Sequence, residues 1–323
     1  MNTLRILLLT LCFISNTTFA QWHDYSFKVM GTISHVQLWL DTSNSANANE
    51  LFQLVEGEMN RIDRLMSPYK PNSEVSKINR LAANTPLIIS IELFDLLVTA
   101  QDISKLSAGA FDLTYASVGY KYNYRDQQKP SSKEIQALLP KINYHSISLS
   151  PKHSSISLRS DKIKIDLGGI AKGHAIKRCL DILKQHGIRH ALVSAGGDTA
   201  LLGDRKGRPW LVGIKHPRAD EKTVVHIPLE NEAISTSGDY ERFFVKDGVR
   251  YHHIINPQTG ESANEVVSVS IVGKDATYVD ALSTTVFVKG LTKGLEFIEQ
   301  LPDYEAIVID KNYQLYFSSG LRQ

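Results

Sequence analysis

The chain has 323 residues, 42% hydrophobic and 22% charged, with 36 Lys and Arg against 34 Asp and Glu for a formal charge of +2. Such a composition is ordinary for a globular protein, and a near balance without any basic tract excludes the electrostatic footprint of a nucleic-acid-binding surface. The length suffices for a large core, in one big domain or two small ones.

The chain starts MNTLRILLLTLCFISNTTFA, with Arg5 ahead of an apolar run and small or polar residues leading to Ala20. This is the pattern of a secretory signal peptide over residues 1–20, and it is too short and too poorly flanked for a membrane span. The expected location is therefore exported and periplasmic. A lipid anchor on Cys12 would need small residues before it, which Thr10 and Leu11 do not supply. Cleavage after Ala20 leaves Cys179 as the sole cysteine, so no internal disulfide forms and residues 21–323 rest on their core. No later apolar stretch approaches spanning length.

In chain order, Ser26 to Leu40 alternates as a strand interrupted at Gly31, and residues 41–49 are polar turn material. Helical spacing runs from Leu51 to Met66 and stops at Ser67-Pro68; a second helix covers Ile91 to Leu106 and closes at Ser107-Ala108-Gly109. Residues 115–130, rich in Tyr, Lys and Gln, read as a surface excursion, followed by a short helix with a capping box at Ser131 to Glu134. From Ile147 the pattern is β, through I-S-L-S, I-S-L-R-S and K-I-K-I-D-L. Strands follow at Ala191–Ser194, Trp210–Ile214, Thr223–Ile227, Val266–Val272, Ala306–Ile309 and Leu315–Phe317, with helices at Ala276–Val288 and Thr292–Leu301. There is neither a low-complexity linker nor a fixed-period repeat, which favours one continuous α+β domain.

Residues 165–173, I-D-L-G-G-I-A-K-G, read as a strand, a glycine turn and the start of a helix that stops at Gly187. A helix N-terminus facing such a turn suits an anion. Glycines also serve plain strand-to-helix turns, and the spacing is neither G-x-G-x-x-G nor a P-loop. Asp280 and Thr284 lie four apart in an apolar helix, which puts a carboxylate and a hydroxyl on one face. With a nearby backbone carbonyl they would suit Mg²⁺; the plain alternative is that Thr284 bonds its own helix backbone while Asp280 caps or pairs. His252 and His253 are adjacent, so in an extended segment only one can point at a given site, where a neutral imidazole could take a proton from a hydroxyl. No Cys cluster or H-E-x-x-H supports zinc, and no G-x-S-x-G supports a hydrolase triad.

Read together, I-D-L-G-G-I-A-K-G, A-L-V-S-A-G-G-D, S-G-D-Y-E-R-F-F, H-H-I-I-N-P-Q-T-G and V-D-A-L-S-T-T, in that order, resemble the ApbE family of flavin transferases, the FAD:protein FMN transferases. The resemblance covers essentially all of residues 21–323. It implies an α+β fold related to the tunnelling fold, a single domain with the FAD site between two lobes. The implied activity is Mg²⁺-dependent transfer of FMN from FAD to a Ser or Thr hydroxyl of an acceptor protein, releasing AMP. The implied acceptor is a flavin-bearing subunit of a membrane redox complex.

On matching residues, the resemblance places Met30 and Tyr69 beside the flavin or adenine, and Ala110, Phe111 and Asp112 along the FAD pocket. Asp166 and Lys172 would hold the cofactor around the glycine turn, whose glycines would let backbone approach the pyrophosphate. Mg²⁺ would take the Gly169 carbonyl with Asp280 and Thr284, and His253 would be the base. After A-F-D-L-T the chain departs from the family pattern with Y-A-S-V-G-Y-K-Y-N-Y-R, which bears on the pocket rim and the choice of acceptor. Two rival functions share these residues: an Mg²⁺-dependent FAD pyrophosphatase giving FMN and AMP, and a non-catalytic FAD-binding protein.

Overall fold

The computed structural model describes residues 20–41 and 47–322; the signal-peptide expectation and Cys12 lie outside these but for Ala20. The chain opens with a hairpin of β1 (Gln21–Val29) and β2 (Thr32–Leu40), followed by α1 (Ala48–Met66), α2 (Glu74–Leu81), β3 (Leu87–Ile88) and α3 (Ile91–Leu106). Then come α4 (Ala116–Gly119), α5 (Ser132–Leu138), β4 (Ile147–Ser150), β5 (Ser155–Leu158) and α6 (Ala171–Gln185). The second half runs β6 (Ala191–Ala195), β7 (Asp198–Leu202), β8 (Trp210–His216), β9 (Ala219–Leu229), β10 (Ala233–Gly238), β11 (Phe243–Lys246) and β12 (Val249–His252). It closes with β13 (Val266–Gly273), α7 (Ala276–Lys289), α8 (Leu291–Ile298), β14 (Tyr304–Asp310) and β15 (Leu315–Phe317).

Eight strands form one antiparallel sheet in the order β1-β2-β6-β7-β10-β13-β14-β15. Helices α1, α6, α7 and α8 cover one face, and the β8–β9 hairpin covers part of the other through Trp210, Ile214, Ile227 and Leu229. Being covered on both sides, β13 is buried at all eight positions, which is why its sequence is a continuous apolar and serine run rather than an alternation. A small sheet, β3-β5-β4, packs with α2 and α3 into the same continuous core.

The interrupted strand at 26–40 is a hairpin: Met30 and Gly31 both have positive φ, 52° and 74°, which is the twist a two-residue hairpin turn requires. Helix α2 went unread because its eight residues are too short for periodicity to assert itself. Residues 162–167 form no strand. A ladder partner is replaced there by side chains: Asn79 brackets Ile165, accepting from its N–H at 2.8 Å and donating to its carbonyl at 2.9 Å, while the Lys164 N–H donates to Ser117 Oγ at 3.0 Å. The 115–130 segment is only partly a surface excursion, since Val118 and Tyr122 are buried with Ile135 and Ile255 in a satellite core. The capping box at Ser131 and Glu134 forms as expected.

Candidate active site

One cavity of about 600 Å³ opens between the Met30-Gly31 turn, the loop after α1, the segment 110–124, the glycine turn before α6, and the loops around β10 to β12. Every residue that the resemblance assigned to the site lines it: Met30, Tyr69, Ala110, Phe111, Asp112 and Asp166 on one part of the wall, Gly169, Lys172, His253, Asp280 and Thr284 on the rest. Its volume is that of a small-molecule or cofactor site.

The aromatic part of the wall is larger than sequence reasoning anticipated. Tyr115, Tyr120 and Tyr124, from the stretch that departs from the family pattern, all line the cavity. Their hydroxyls are held well above the ordinary tyrosine range, chiefly by burial, so they stay neutral. The clustering of Tyr115, Tyr120, Tyr122 and Tyr124 was the available signal; a segment bent around a pocket has no period to mark it. Tyr69 stands at the rim, 72% exposed, and its hydroxyl accepts from Arg242 Nη1 at 3.2 Å.

Two carboxylates do structural work beside the cavity. Asp112 accepts from the Thr114 N–H at 2.8 Å and Thr114 Oγ1 at 2.6 Å, and from the Tyr144 N–H at 2.8 Å, so its oxygens are engaged in capping and loop closure. Asp166 accepts from the Gly168 N–H at 2.7 Å and shapes the glycine turn. Burial raises the pKa of both above the ordinary carboxylate value.

The polar part is built by α6 and α7. Lys172 is hydrogen-bonded to the buried Asp198, and its Nζ lies 3.7 Å from Asp280 Oδ1. Burial alone would depress the Lys172 ammonium, but Asp198 and then Asp280 outweigh it and hold it charged. Asp198, the last residue of the A-L-V-S-A-G-G-D motif, is thus the partner of Lys172, a role visible only once β7 and α6 are packed. Asp280 Oδ2 accepts from the Gly173 N–H at 2.9 Å, so it caps the start of α6 from a different helix. Burial, followed by repulsion from Asp198, pushes the Asp280 carboxyl up to about 7 against the pull of Lys172.

Thr284 does not bond its own helix. Its neighbours do, with Ser283 Oγ donating to the Asp280 carbonyl and Thr285 Oγ1 to the Ala281 carbonyl, both at 2.8 Å. Thr284 Oγ1 instead lies 3.3 Å from Ser237 Oγ, which is 2.8 Å from Ser283 Oγ.

Two of these glycines serve packing within the protein itself. A Cβ on Gly173 would lie 2.2 Å from the Ala276 carbonyl oxygen and 2.7 Å from Asp280 Cβ, so this glycine lets α6 and α7 touch. A Cβ on Gly169 would lie 3.1 Å from Thr284 Oγ1 and 3.3 Å from Phe111, so this glycine brings its backbone against the α7 hydroxyl.

That closeness bears on a cation. Among the described residues no donor lies within 3.5 Å of Asp280 Oδ1, Lys172 Nζ standing at 3.7 Å, and none reaches the Gly169 carbonyl. Together with Thr284 Oγ1 they form an all-oxygen donor set on one wall, which fits a hard cation such as Mg²⁺. No cluster of three or more His, Cys, Asp or Glu exists among the described residues, so a softer, nitrogen- or sulfur-bound metal has no comparable place.

The two histidines divide as adjacency required. The His252 ring is buried, with Nε2 2.6 Å from the Ala263 carbonyl and an edge-to-face contact with Phe287. His253 faces the cavity, its Nδ1 buried without a partner among the described residues. Burial pushes its pKa down to about 3, helped by His252, Arg242 and Lys172, so the ring is neutral.

Fold and site together define an α+β protein with a preformed cavity walled by aromatic rings on one part and by charged and hydroxyl groups on the rest. The family model described as the ApbE family matches residues 30–308, and the chain belongs to that family. It is 31% identical over 304 residues to the FAD:protein FMN transferase of Klebsiella pneumoniae (strain 342), covering 93% of each chain. It is 29% identical to the same-named protein of Vibrio cholerae (Classical Ogawa 395), covering 92% of this chain and 91% of that one. Among solved structures, the ApbE protein of Thermotoga maritima MSB8 superposes with a TM-score of 0.85 at 33% identity, covering 94% of this chain and 98% of that one. The flavin transferase ApbE of Vibrio cholerae does so with 0.84 at 28% identity, covering 94% and 99%.

Proposed function

We propose that this chain transfers FMN from FAD to a Ser or Thr hydroxyl of an acceptor protein, with Mg²⁺ bound and AMP released. The observation that carries this reading is the meeting of Met30, Tyr69, Phe111, Lys172, His253, Asp280 and Thr284 on one cavity wall, although they span most of the sequence. The relatives' names supply the reaction class.

In this reading Met30, Tyr69 and Phe111 hold ring systems, and Lys172 faces the pyrophosphate. Asp280 Oδ1, Thr284 Oγ1 and the Gly169 carbonyl would hold Mg²⁺, which would supply positive charge for the phosphate oxygens. The acceptor oxygen forms a bond to the FMN phosphorus while the bond from that phosphorus to the bridging oxygen breaks, and AMP leaves with the electron pair. The hydroxyl proton passes to neutral His253. Bound phosphates set negative charge against Arg242 and Lys172, which removes part of what depresses the imidazole and makes it a better base. Holding the hydroxyl in line is the other contribution of the cavity wall.

The experiment is incubation of the purified mature chain with FAD, Mg²⁺ and a flavin-bearing subunit of a membrane redox complex, read as flavin fluorescence on a denaturing gel together with AMP release. A labelled band with stoichiometric AMP is expected. Free FMN at full rate without a labelled band would make the chain a pyrophosphatase, and tight FAD binding without AMP would make it a binding protein. The reading also includes export to the periplasm, supported by Arg5 and the apolar run up to Ala20. A mature N-terminus at Gln21 on protein from the periplasmic fraction is the expected result. Among the described residues no helix is long and apolar enough to cross a membrane.

A further inference from the structure

The β11–β12 ribbon stands apart from the eight-stranded sheet, and its open end meets the cavity. Arg242 immediately precedes β11, His253 immediately follows β12, and the His253 N–H donates to the Arg242 carbonyl at 3.1 Å. That bond fixes the alternation of the ladder. Phe244 and Tyr251, then Lys246 and Val249, bond inward, whereas Phe243 and Val245 point their backbone N–H and C=O groups away from β12. No described residue bonds those outward groups. On the opposite side, the outward groups of His252 are taken, its N–H donating to Ser262 Oγ at 3.0 Å and its carbonyl accepting from Ser262 Oγ at 2.7 Å.

The edge of β11 is therefore open, and its side chains are apolar and exposed: Phe243 at 39% and Val245 at 51%. Proteins ordinarily block such an edge with proline, an inward charge or a covering loop. Around the ribbon Arg218, Arg242, Lys246 and Arg250 stand against Asp239, Glu241 and Asp247, and Asp239 is taken up by Arg218 through two hydrogen bonds, with Arg250 Nε 3.8 Å away, which leaves an excess of one cation. The Arg250 guanidinium lies 3.8 Å from the centre of the Phe243 ring, and its Nη1 has no partner among the described residues.

We propose that the outer edge of β11 takes an extended segment of the acceptor protein as an added strand, and that this places the reactive Ser or Thr hydroxyl at the cavity beside Arg242 and His253. The proposal rests on the transfer reading above, which needs a polypeptide hydroxyl at this mouth. Main-chain pairing along an open edge holds an extended segment whatever its exact sequence, and alternate side chains supply selectivity. The excess of cations selects an acidic or neutral segment over a basic one.

The test uses two synthetic peptides of about twelve residues, each with one central Thr and valine at alternate positions, the remaining positions being Glu in one and Lys in the other. They are incubated with the mature chain, FAD and Mg²⁺, and both peptide fluorescence and AMP are measured. The Glu peptide is expected to be labelled with a KM about tenfold below that of the Lys peptide, since a few charge-assisted and main-chain bonds amount to about that. Val245→Pro, which removes an outward N–H, raises the Glu-peptide KM about tenfold while peptide-independent AMP release is unchanged. Val245→Glu, which keeps the N–H and adds a like charge, raises it as well, so the result does not depend on how one variant folds. An unchanged KM in both variants, or AMP release by wild type with neither peptide labelled, overturns the docking proposal. No AMP release by wild type overturns the transfer reading, and the docking proposal with it.

Discussion

Gly173 and Asp280 lock two helices together: the glycine N–H donates to Asp280 Oδ2 at 2.9 Å, and the space for a Cβ is filled by Asp280 Cβ and the Ala276 carbonyl oxygen. The contact that crosses α6 over α7 also aims the carboxylate's other oxygen at the cavity. Gly173→Ala would force backbone apart, because the nearest obstacle, at 2.2 Å, is a carbonyl oxygen and not a flexible side chain. We expect a loss of about 1–3 kcal/mol from overpacking, read as a lower denaturation midpoint, together with weakened FAD binding. A variant as stable as wild type would mean that the helices part without cost.

Asp280 is the group whose charge the site controls most tightly. Its folded pKa, about 7, lies above that of an unfolded carboxyl, because burial and Asp198 oppose ionisation. The sign follows: this group's contribution to stability is present in full below the unfolded value and is lost as pH rises through about 7. In chelator, the denaturation midpoint should therefore fall between about pH 4 and about pH 7 and level off above that, and Mg²⁺ should restore it at the upper end. Cation affinity should weaken as pH drops below neutrality, since only the carboxylate ligates. Asp280→Asn keeps an acceptor for Gly173 but removes the charge; it should flatten the pH dependence and slow AMP release about a hundredfold or more. Turnover at the wild-type rate from that variant in chelator would refute the metal assignment.

His253→Ala should separate binding from transfer. The ring is neutral and its Nδ1 makes no hydrogen bond, so its loss leaves the fold and FAD affinity close to wild type. Transfer should slow by about a hundredfold to ten-thousandfold, the usual scale for removing a positioned base. Stopped-flow flavin binding beside single-turnover labelling checks both halves, and equal losses in the two would assign the residue to binding.

Met30 sits at φ 52° in the β1–β2 turn with its side chain on the cavity wall. A left-handed methionine costs about 1 kcal/mol or more, which asparagine avoids. Met30→Asn should raise stability by about 0.5–1 kcal/mol and weaken FAD binding, a trade between fold and function. Denaturant midpoints and flavin titration measure the two sides, and a gain in both would mean that the side chain does not touch the ligand.

The candidate site was legible as a set of residues but not as a set of contacts. Short motifs rich in Gly, Ser, Thr and Asp mark places where chemistry overrides secondary structure, so Gly169, Lys172, His253, Asp280 and Thr284 stood out one by one. What escaped was pairing across sequence distance. Nothing near Lys172 announces Asp198 as its partner, and nothing near Ile165 announces that Asn79 will stand in for a neighbouring strand. Long, periodic elements such as α1, α3, α7 and β13 were readable, because burying one stripe or a whole strand constrains many residues at once. Short ones, α2 and α4, take their shape from what they pack against. The glycines of 168–173 were legible as points of close approach, but the sequence did not say that α7 is what approaches Gly173, since a helix and a phosphate leave the same mark on it.

The cavity draws its wall from Met30 near one end of the chain and Thr284 near the other, with Phe111, Lys172 and His253 from between. A product truncated before α7 lacks Asp280 and Thr284 and cannot complete that wall. The wall is complete only when α7 has docked, so occupancy serves as a report of finished folding, and ligand in excess stabilises the whole molecule and not one region of it.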